Sequence, residues 1–260
     1  MDIKKLLPGH PWADTIEYFA SIDSTSTYLQ RQASFGAAQG SVVIADSQTA
    51  GKGRLGRVFH SPAGTGLYMS VLLRPMCKPQ LLMHLTCAVA VAVCDAIEAV
   101  TGFCPQVKWV NDIVWQGKKL GGILTGIHTD KDGNVEYAIV GIGINCGHTV
   151  FPEALQNIAV SLADVTGAAV DRQALAAELI RRLESMNQQL IDDQELIMDR
   201  YRSLCAVIGR QVRLLRAQED RTATVLDVDN DGGLIVRLAD GTVETVNSGE
   251  ISLRGENSYI

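Results

Sequence analysis

Between Asp46 and Ser70 the chain reads DSQTAGKGRLGRVFHSPAGTGLYMS. Gly51, Gly53 and Gly56 are interleaved there with Lys52, Arg54 and Arg57. Glycines allow successive backbone N–H groups to converge on an anion. Guanidinium groups add forked donors that suit carboxylate or phosphate. The spacing is not that of a P-loop, since no Gly-Lys-Ser/Thr follows, nor of a dinucleotide fingerprint, since a second apolar run follows where a helix should begin. Taken alone, the stretch reads equally well as a mobile hairpin with solvated charges.

Two further segments change that balance. VKWVNDIVW sets Lys108, Trp109, Asn111 and Asp112 in an otherwise apolar run, where a polar group left unsatisfied on burial costs about 1–3 kcal/mol. GKKLGGILTG then sets Lys118 and Lys119 beside Gly121 and Gly122. A lysine pair at a hairpin tip is ordinary surface by itself; with the other two segments it reads as part of one cationic cleft.

The elements that must hold these residues follow from patterning. Asp23, Ser24 and Thr25 open a helix, where short oxygen side chains satisfy free N–H groups. Residues 41–47 and 66–74 read as strands flanking the glycine loop. The apolar stretch 78–102 reads as a buried helix with Pro79 at its start and Gly102 at its end. Strand, turn and strand follow, with a Gln116-Gly117 turn, then GNVEYAIVGIGIN as a strand opened by Asp132-Gly133-Asn134. Residues 171 to about 201 form one amphipathic helix capped by Asp171. After Cys205 four or five short strands are split by Asn/Asp-Gly turns, enough for a small β-barrel. The expected division is a loose lead-in over 1–12, a main domain over 13–205 and a barrel over 206–260. Strict β-α-β alternation is missing, so the main domain is expected to be α+β: a mixed sheet with helices mainly on one face.

Composition narrows the function. The 260 residues are 47% hydrophobic and carry a net charge of −6, which argues against general nucleic-acid affinity. No stretch is read as a membrane span, and MDIKKLLPGHPW lacks a secretory pattern, so a cytoplasmic location is expected. The six cysteines and five histidines show no zinc-type spacing, and no metal-ligating residue is assigned.

DSTSTYL, QTAGKGRLGRVFHSP, GLYMSVLLRP, KWVNDIVWQGKKLGGIL and GIGINC occur in the order and spacing of the catalytic core of biotin protein ligases, which the chain resembles over roughly residues 20–165. The terminal strands are similar to that family's small SH3-like barrel, beside a core related to class II synthetases. The resemblance implies a two-step reaction: biotin's carboxylate attacks the α-phosphorus of ATP, giving biotinyl-5′-AMP and pyrophosphate, and a lysine of a biotin carboxyl carrier protein then takes the biotinyl group. Magnesium would accompany ATP.

By the same resemblance, Arg54 and Lys119 are the catalytic candidates, and the N–H groups of Lys52 to Arg54 cup the carboxylate. Ser24, Thr25, Ser26, Gln48, Gly51, Lys52, Gly53, Arg54 and Lys119 fall on the biotin side, with walls from 67–72 and 122–127. Arg54, Arg57, Lys108, Trp109, Asn111, Asp112 and Asn145 fall on the ATP side. Asp112 is a candidate base, with tying down its turn as the competing role. Lys52, Ser26 and Val110 depart from the family's usual Arg, Asn and Pro. Few residues precede the core, so a ligase without DNA binding or repressor activity is expected, with a homodimer allowed. A lipoate or octanoate ligase or transferase shares the core, but its acyl chain has no ureido ring for Ser24, Thr25 and Gln48 to meet. A non-catalytic biotin sensor would not require Arg54 and Lys119.

Overall fold

The computed structural model describes residues 2–148, 151–216, 219–247 and 252–255. The elements run β1 (Ile16–Phe19), α1 (Thr25–Ser34), β2 (Val42–Ala45), β3 (Gly66–Leu73), α2 (Leu85–Thr101), β4 (Gln106–Lys108), β5 (Asp112–Trp115), β6 (Lys118–Thr129) and β7 (Val135–Asn145). They continue with α3 (Glu153–Gln156), α4 (Leu162–Thr166), α5 (Arg172–Gln189), α6 (Gln194–Leu204), β8 (Gln211–Arg216), β9 (Glu219–Val228), β10 (Leu234–Leu238), β11 (Val243–Val246) and β12 (Ser252–Gly255).

The first seven strands form one sheet in the order β1-β2-β3-β7-β6-β5-β4. β1 and β2 are parallel and the other neighbours antiparallel, so the sheet is mixed, as the sequence implies. β3 is buried at every residue, which is why it reads as an unbroken apolar run. Its Met69, Val71 and Leu73 join the main core with α2, α5 and α6. Leu72 faces the other way, into a small cluster with Leu29 and Ala33 of α1 and with Val43, Tyr137 and Ile139. Three long helices thus cover one face. α1 covers only part of the other.

The helix boundaries differ from the pattern in two places. Residues 79–82 form a 3-10 turn before α2 begins, and Gly102 ends α2 in the left-handed conformation at φ 69°, a position that costs glycine nothing. The single helix expected over 171–201 is two, α5 and α6. At the break, the carbonyl of Leu190 lies 2.7 Å from His84 Nε2. A carbonyl only accepts, so His84 donates from Nε2 and satisfies one of the orphan groups a helix end leaves.

Residues 79–101 are long and apolar enough to cross a membrane by length and composition, contrary to the expectation that no stretch would qualify. Two thirds of that window is buried inside the protein, against the sheet, α5 and α6, so α2 is apolar all round because it is a core helix. Residues 2–12 are not loose either. Ile3, Leu7 and Trp12 are core residues, and the Trp12 ring fills the space that a Cβ on Gly40 would need.

Strands β8 to β12 form a second, antiparallel sheet in the order β11-β10-β9-β8-β12. The β9–β10 turn docks on the first unit: Arg202 Nε donates to Val228 O at 2.7 Å, and Gln194 Nε2 to Asn230 O at 2.9 Å.

Asp171 accepts from the N–H groups of Gln173 and Ala174 at 2.9 and 3.1 Å. Asp171→Ala is expected to lower unfolding stability by about 1 kcal/mol, read as a shift in the urea midpoint at constant slope.

Candidate active site

The uncovered part of the sheet forms the floor of a cavity of about 490 Å³. On β7, Ile142 and Ile144 point into the core, so the alternate positions, Gly141 and Gly143, face the cavity. A Cβ at Gly143 would sit 2.5 Å from the Phe59 ring, and one at Gly141 would sit 2.5 Å from Ser26 Oγ. The glycines are there because something else occupies the space above them.

Lys119 reaches this face through a fault in the ladder. Asp112 pairs with Gly122 and Ile113 with Gly121, but Val114 pairs with Lys119. Strict alternation would place residues 119 and 122 on opposite faces. The extra residue re-aims the lysine, and its Nζ lies 3.2 Å from where a Gly122 Cβ would be. There the ammonium donates to Asp112 Oδ1 at 2.5 Å and lies 6.0 Å from the centre of the Phe59 ring. Lys119's backbone is fixed as well: its N–H donates to Ile158 O and its carbonyl accepts from Val160 N.

At the other end of the cavity lies a patch of hydroxyls. Gln48 Oε1 accepts from Thr25 N at 3.0 Å and Thr25 Oγ1 at 3.2 Å, while its Nε2 donates to Ser61 Oγ at 3.0 Å. Ser70 Oγ shares hydrogen bonds with Thr25 Oγ1 at 2.7 Å and Ser26 Oγ at 2.9 Å. The amide of Gln48 thus ties helix α1 to the glycine loop. Ser24 caps α1, accepting weakly from Thr27 N at 3.4 Å.

The glycine loop folds back on itself. Gly53 N donates to Arg57 O at 2.7 Å, Arg57 N to Arg54 O, and Phe59 N to Gly51 O. A cup of N–H groups over residues 52–54 is therefore not what this conformation offers, because the Gly53 donor is spent on the tight turn. Gly51 serves close approach instead: a Cβ there would meet Phe59 O at 2.6 Å and Ser61 Oγ at 2.7 Å. At the tip, Leu55 and Gly56 both take positive φ, 54° and 73°, and Leu55 is 63% exposed.

Arg54 reaches inward from this turn and donates to Asn111 Oδ1 at 2.9 Å, while Asn111 Nδ2 donates to Ile123 O. Burial lowers the Arg54 guanidinium's pKa from its ordinary value, with Asp112 opposing the shift; a guanidinium remains charged at neutral pH. Lys108 is 2% exposed and lines the same cavity. Trp109 lines it too, and its indole N–H donates to Gly232 O of the C-terminal sheet at 2.9 Å.

Every candidate residue except Gly51 lines this one cavity, although the segments are far apart in sequence. Some expectations change. Lys118 is exposed and does not join Lys119. Residues 67–72 do not form a cavity wall, since Leu67, Met69 and Val71 face the core; β7 takes that place. Asn145 spends its amide donors on Val160 O and Lys119 O, which ties the 158–160 segment to the sheet. Sequence reasoning missed Ser70, Gly141, Gly143, Phe59 and the apolar rim of Leu155 and Ile158. The alternation in GIGIN, with glycine at every second residue, was the available signal for the floor.

Residues 18–145 match the Biotin/lipoate A/B protein ligase family, and residues 207–254 match the Biotin protein ligase C terminal domain. The chain is 34% identical over 238 residues to the Bifunctional ligase/repressor BirA of Bacillus spizizenii, covering 89% of this chain and 72% of that one. It is 32% identical to the Biotin--[acetyl-CoA-carboxylase] ligase of Mycobacterium tuberculosis, over 94% and 90% of the two chains. The biotin protein ligase from Aquifex aeolicus in complex with biotin and ATP superposes with a TM-score of 0.78 at 29% identity, over 93% and 99%. The chain belongs to the biotin/lipoate A/B protein ligase family. Its named relatives fall on the biotin side of that family.

Ser70→Ala removes the oxygen shared by Thr25 and Ser26 without adding bulk. Loss of such a buried hydrogen-bond hub is expected to weaken binding of a ureido-type ligand about tenfold, roughly 1.4 kcal/mol, measured by calorimetry with biotin.

Proposed function

We propose that the chain activates biotin with ATP as biotinyl-5′-AMP and transfers the biotinyl group to a lysine of a biotin carboxyl carrier protein. The observation that carries this reading is the polarity of the cavity. Thr25, Ser26 and Gln48 are grouped beside Gly141 by shared hydrogen bonds, while Lys119 donates to Asp112 and Arg54 to the adjacent Asn111, and all of these residues line the cavity. A ureido ring offers one carbonyl and two N–H groups, which Thr25, Ser26 and Gln48 can meet with donors and acceptors, with Ser70 holding Thr25 and Ser26 from behind. Lipoate's dithiolane offers neither.

Bringing a carboxylate against a triphosphate is opposed by charge. Each cation about 4 Å from an anion returns roughly 4 kcal/mol at an effective dielectric of 20. Lys119 fits the place where both anions meet, and Arg54 extends the positive surface along the phosphates. The apolar stem of a valeryl chain fits against Phe59, Ile123 and Leu124, which also line the cavity. Asp112 is ion-paired with Lys119; we assign it the task of aiming that ammonium rather than of accepting a proton. An acceptor lysine with the ordinary side-chain pKa of about 10.4 is neutral in only about one molecule in a few thousand at pH 7, so positioning beside an activated acyl group supplies the remaining advantage.

Among the described residues no three His, Cys, Asp or Glu side chains are grouped to hold a metal. The ion-paired Asp112 does not make a protein cage, so magnesium would enter on the phosphates of its nucleotide.

The test uses the purified chain with MgATP, a carrier domain, and either biotin or lipoate. Pyrophosphate release and a biotinyl mass gain on one carrier lysine are expected with biotin alone. Lys119→Ala is expected to slow adenylate formation about a hundredfold. Arg54→Gly is expected to release adenylate into solution, so that bystander protein is labelled. Turnover with lipoate and none with biotin would overturn the reading.

A further inference from the structure

We infer that Arg172, the first residue of α5, is a positioning residue for the glycine loop and sets how tightly the cavity holds its biotin-side ligand. This rests on the function proposed above. Pairing between β2 and β3 stops at Ala45–Tyr68, although β3 continues to Gly66 along its other edge, against Asn145. The next cross-strand positions belong to the two roots of the loop. Arg172 Nη1 spans that gap: it donates to Asp46 Oδ1 at 2.8 Å and to Gly66 O at 3.1 Å. One nitrogen thus joins the residue just past β2 to the residue that begins β3.

The clamp is half-buried and stands on a fixed base. Arg172 and Asp46 are 24% and 23% exposed at their side chains, well shielded compared with a surface pair. Leu175, Leu179 and Leu183 bury α5 in the main core, and Asp171 caps its first turn. The backbone of Asp46 is held from the opposite side, its N–H donating to Phe19 O. Two residues beyond Asp46 stands Gln48, the amide that meets Thr25 and Ser61. Without the clamp the root keeps its backbone bonds between Ile22 and residues 47 and 49 but loses its tie to β3, so the placement of Gln48 and Arg54 is less fixed and part of it must be restored each time ligand binds. Arg172 is outside the cavity lining, so it acts through the loop and not on the ligand.

Two measurements test this on the full chain. Trypsin cuts after Lys52, Arg54 and Arg57 report on loop anchoring without any ligand. Arg172→Ala is expected to speed those cuts about tenfold relative to cuts elsewhere, and Arg172→Lys, which keeps a donor for both oxygens, to restore slow cleavage. In biotin-dependent pyrophosphate release, Arg172→Ala is expected to raise KM for biotin about tenfold with kcat changed less than twofold. Leu175→Val, a core change on the same helix, serves as the stability control and is expected to lower Tm with KM unchanged. Equal cleavage in wild type and Arg172→Ala, or faster cleavage with unchanged KM, would overturn the inference. A wild-type chain that releases no pyrophosphate with biotin would instead overturn the proposed function, and the cleavage rates would still decide whether Arg172 anchors the loop.

Discussion

The site depends on where one ammonium points. Lys119 stands on a strand whose regular alternation would turn it away from Gly122 and the cavity, and the bulge opposite Ile113 and Val114 brings it round. Once there, a lysine beside an apolar ring and two glycines needs a counter-charge, and Asp112 provides it. The glycines needed to make room, the flat floor they create, and the backbone bonds from residues 158 and 160 that pin Lys119 all follow from placing that charge on the open face of the sheet. An anionic ligand entering the cavity meets an ion pair already formed, so its binding is an exchange of partners in a partly desolvated setting.

The division of labour between the two faces of the sheet has the same origin. α2, α5 and α6 need a continuous apolar surface, and every second residue of β3 and β7 gives it. The residues in between are released from core duty. Under the later turns of α1 they are apolar, as with Leu72 and Ile139; under its first turn they are Ser70 and Gly141, followed by Gly143. One stretch of strand thus carries stability on one side and recognition on the other, separated by a single residue in sequence.

Much of this was legible in the chain itself. The strands flanking the glycine loop, the two hairpin turns, the Asp171 cap and the change of texture after Cys205 rest on local chemistry, and the elements formed as that chemistry requires. That Arg54, Asn111, Lys108 and Lys119 share one cleft was suggested by three polar segments set among apolar runs, and the resemblance across several motifs gave that suggestion its detail. What escaped was non-local. Ser70 reads as one polar residue in a buried strand until α1 lays Thr25 and Ser26 over it. The carbonyl left open at the break between α5 and α6 is met by a histidine 106 residues away in sequence. Gly51 was read for backbone freedom, whereas its value is the space it leaves for Phe59 and Ser61.

The indole of Trp109 belongs to two bodies at once. Its ring walls the cavity, and its N–H ends on a carbonyl at the tip of a turn from the C-terminal sheet. Removing the C-terminal sheet would take away that acceptor and open the covered edge of the indole to water, so this wall of the cavity would lose its backing. The small sheet is therefore a cornerstone of the chamber rather than an annex. Grafting a homologous cap onto this core would demand that its turn offer an oxygen at the same spot.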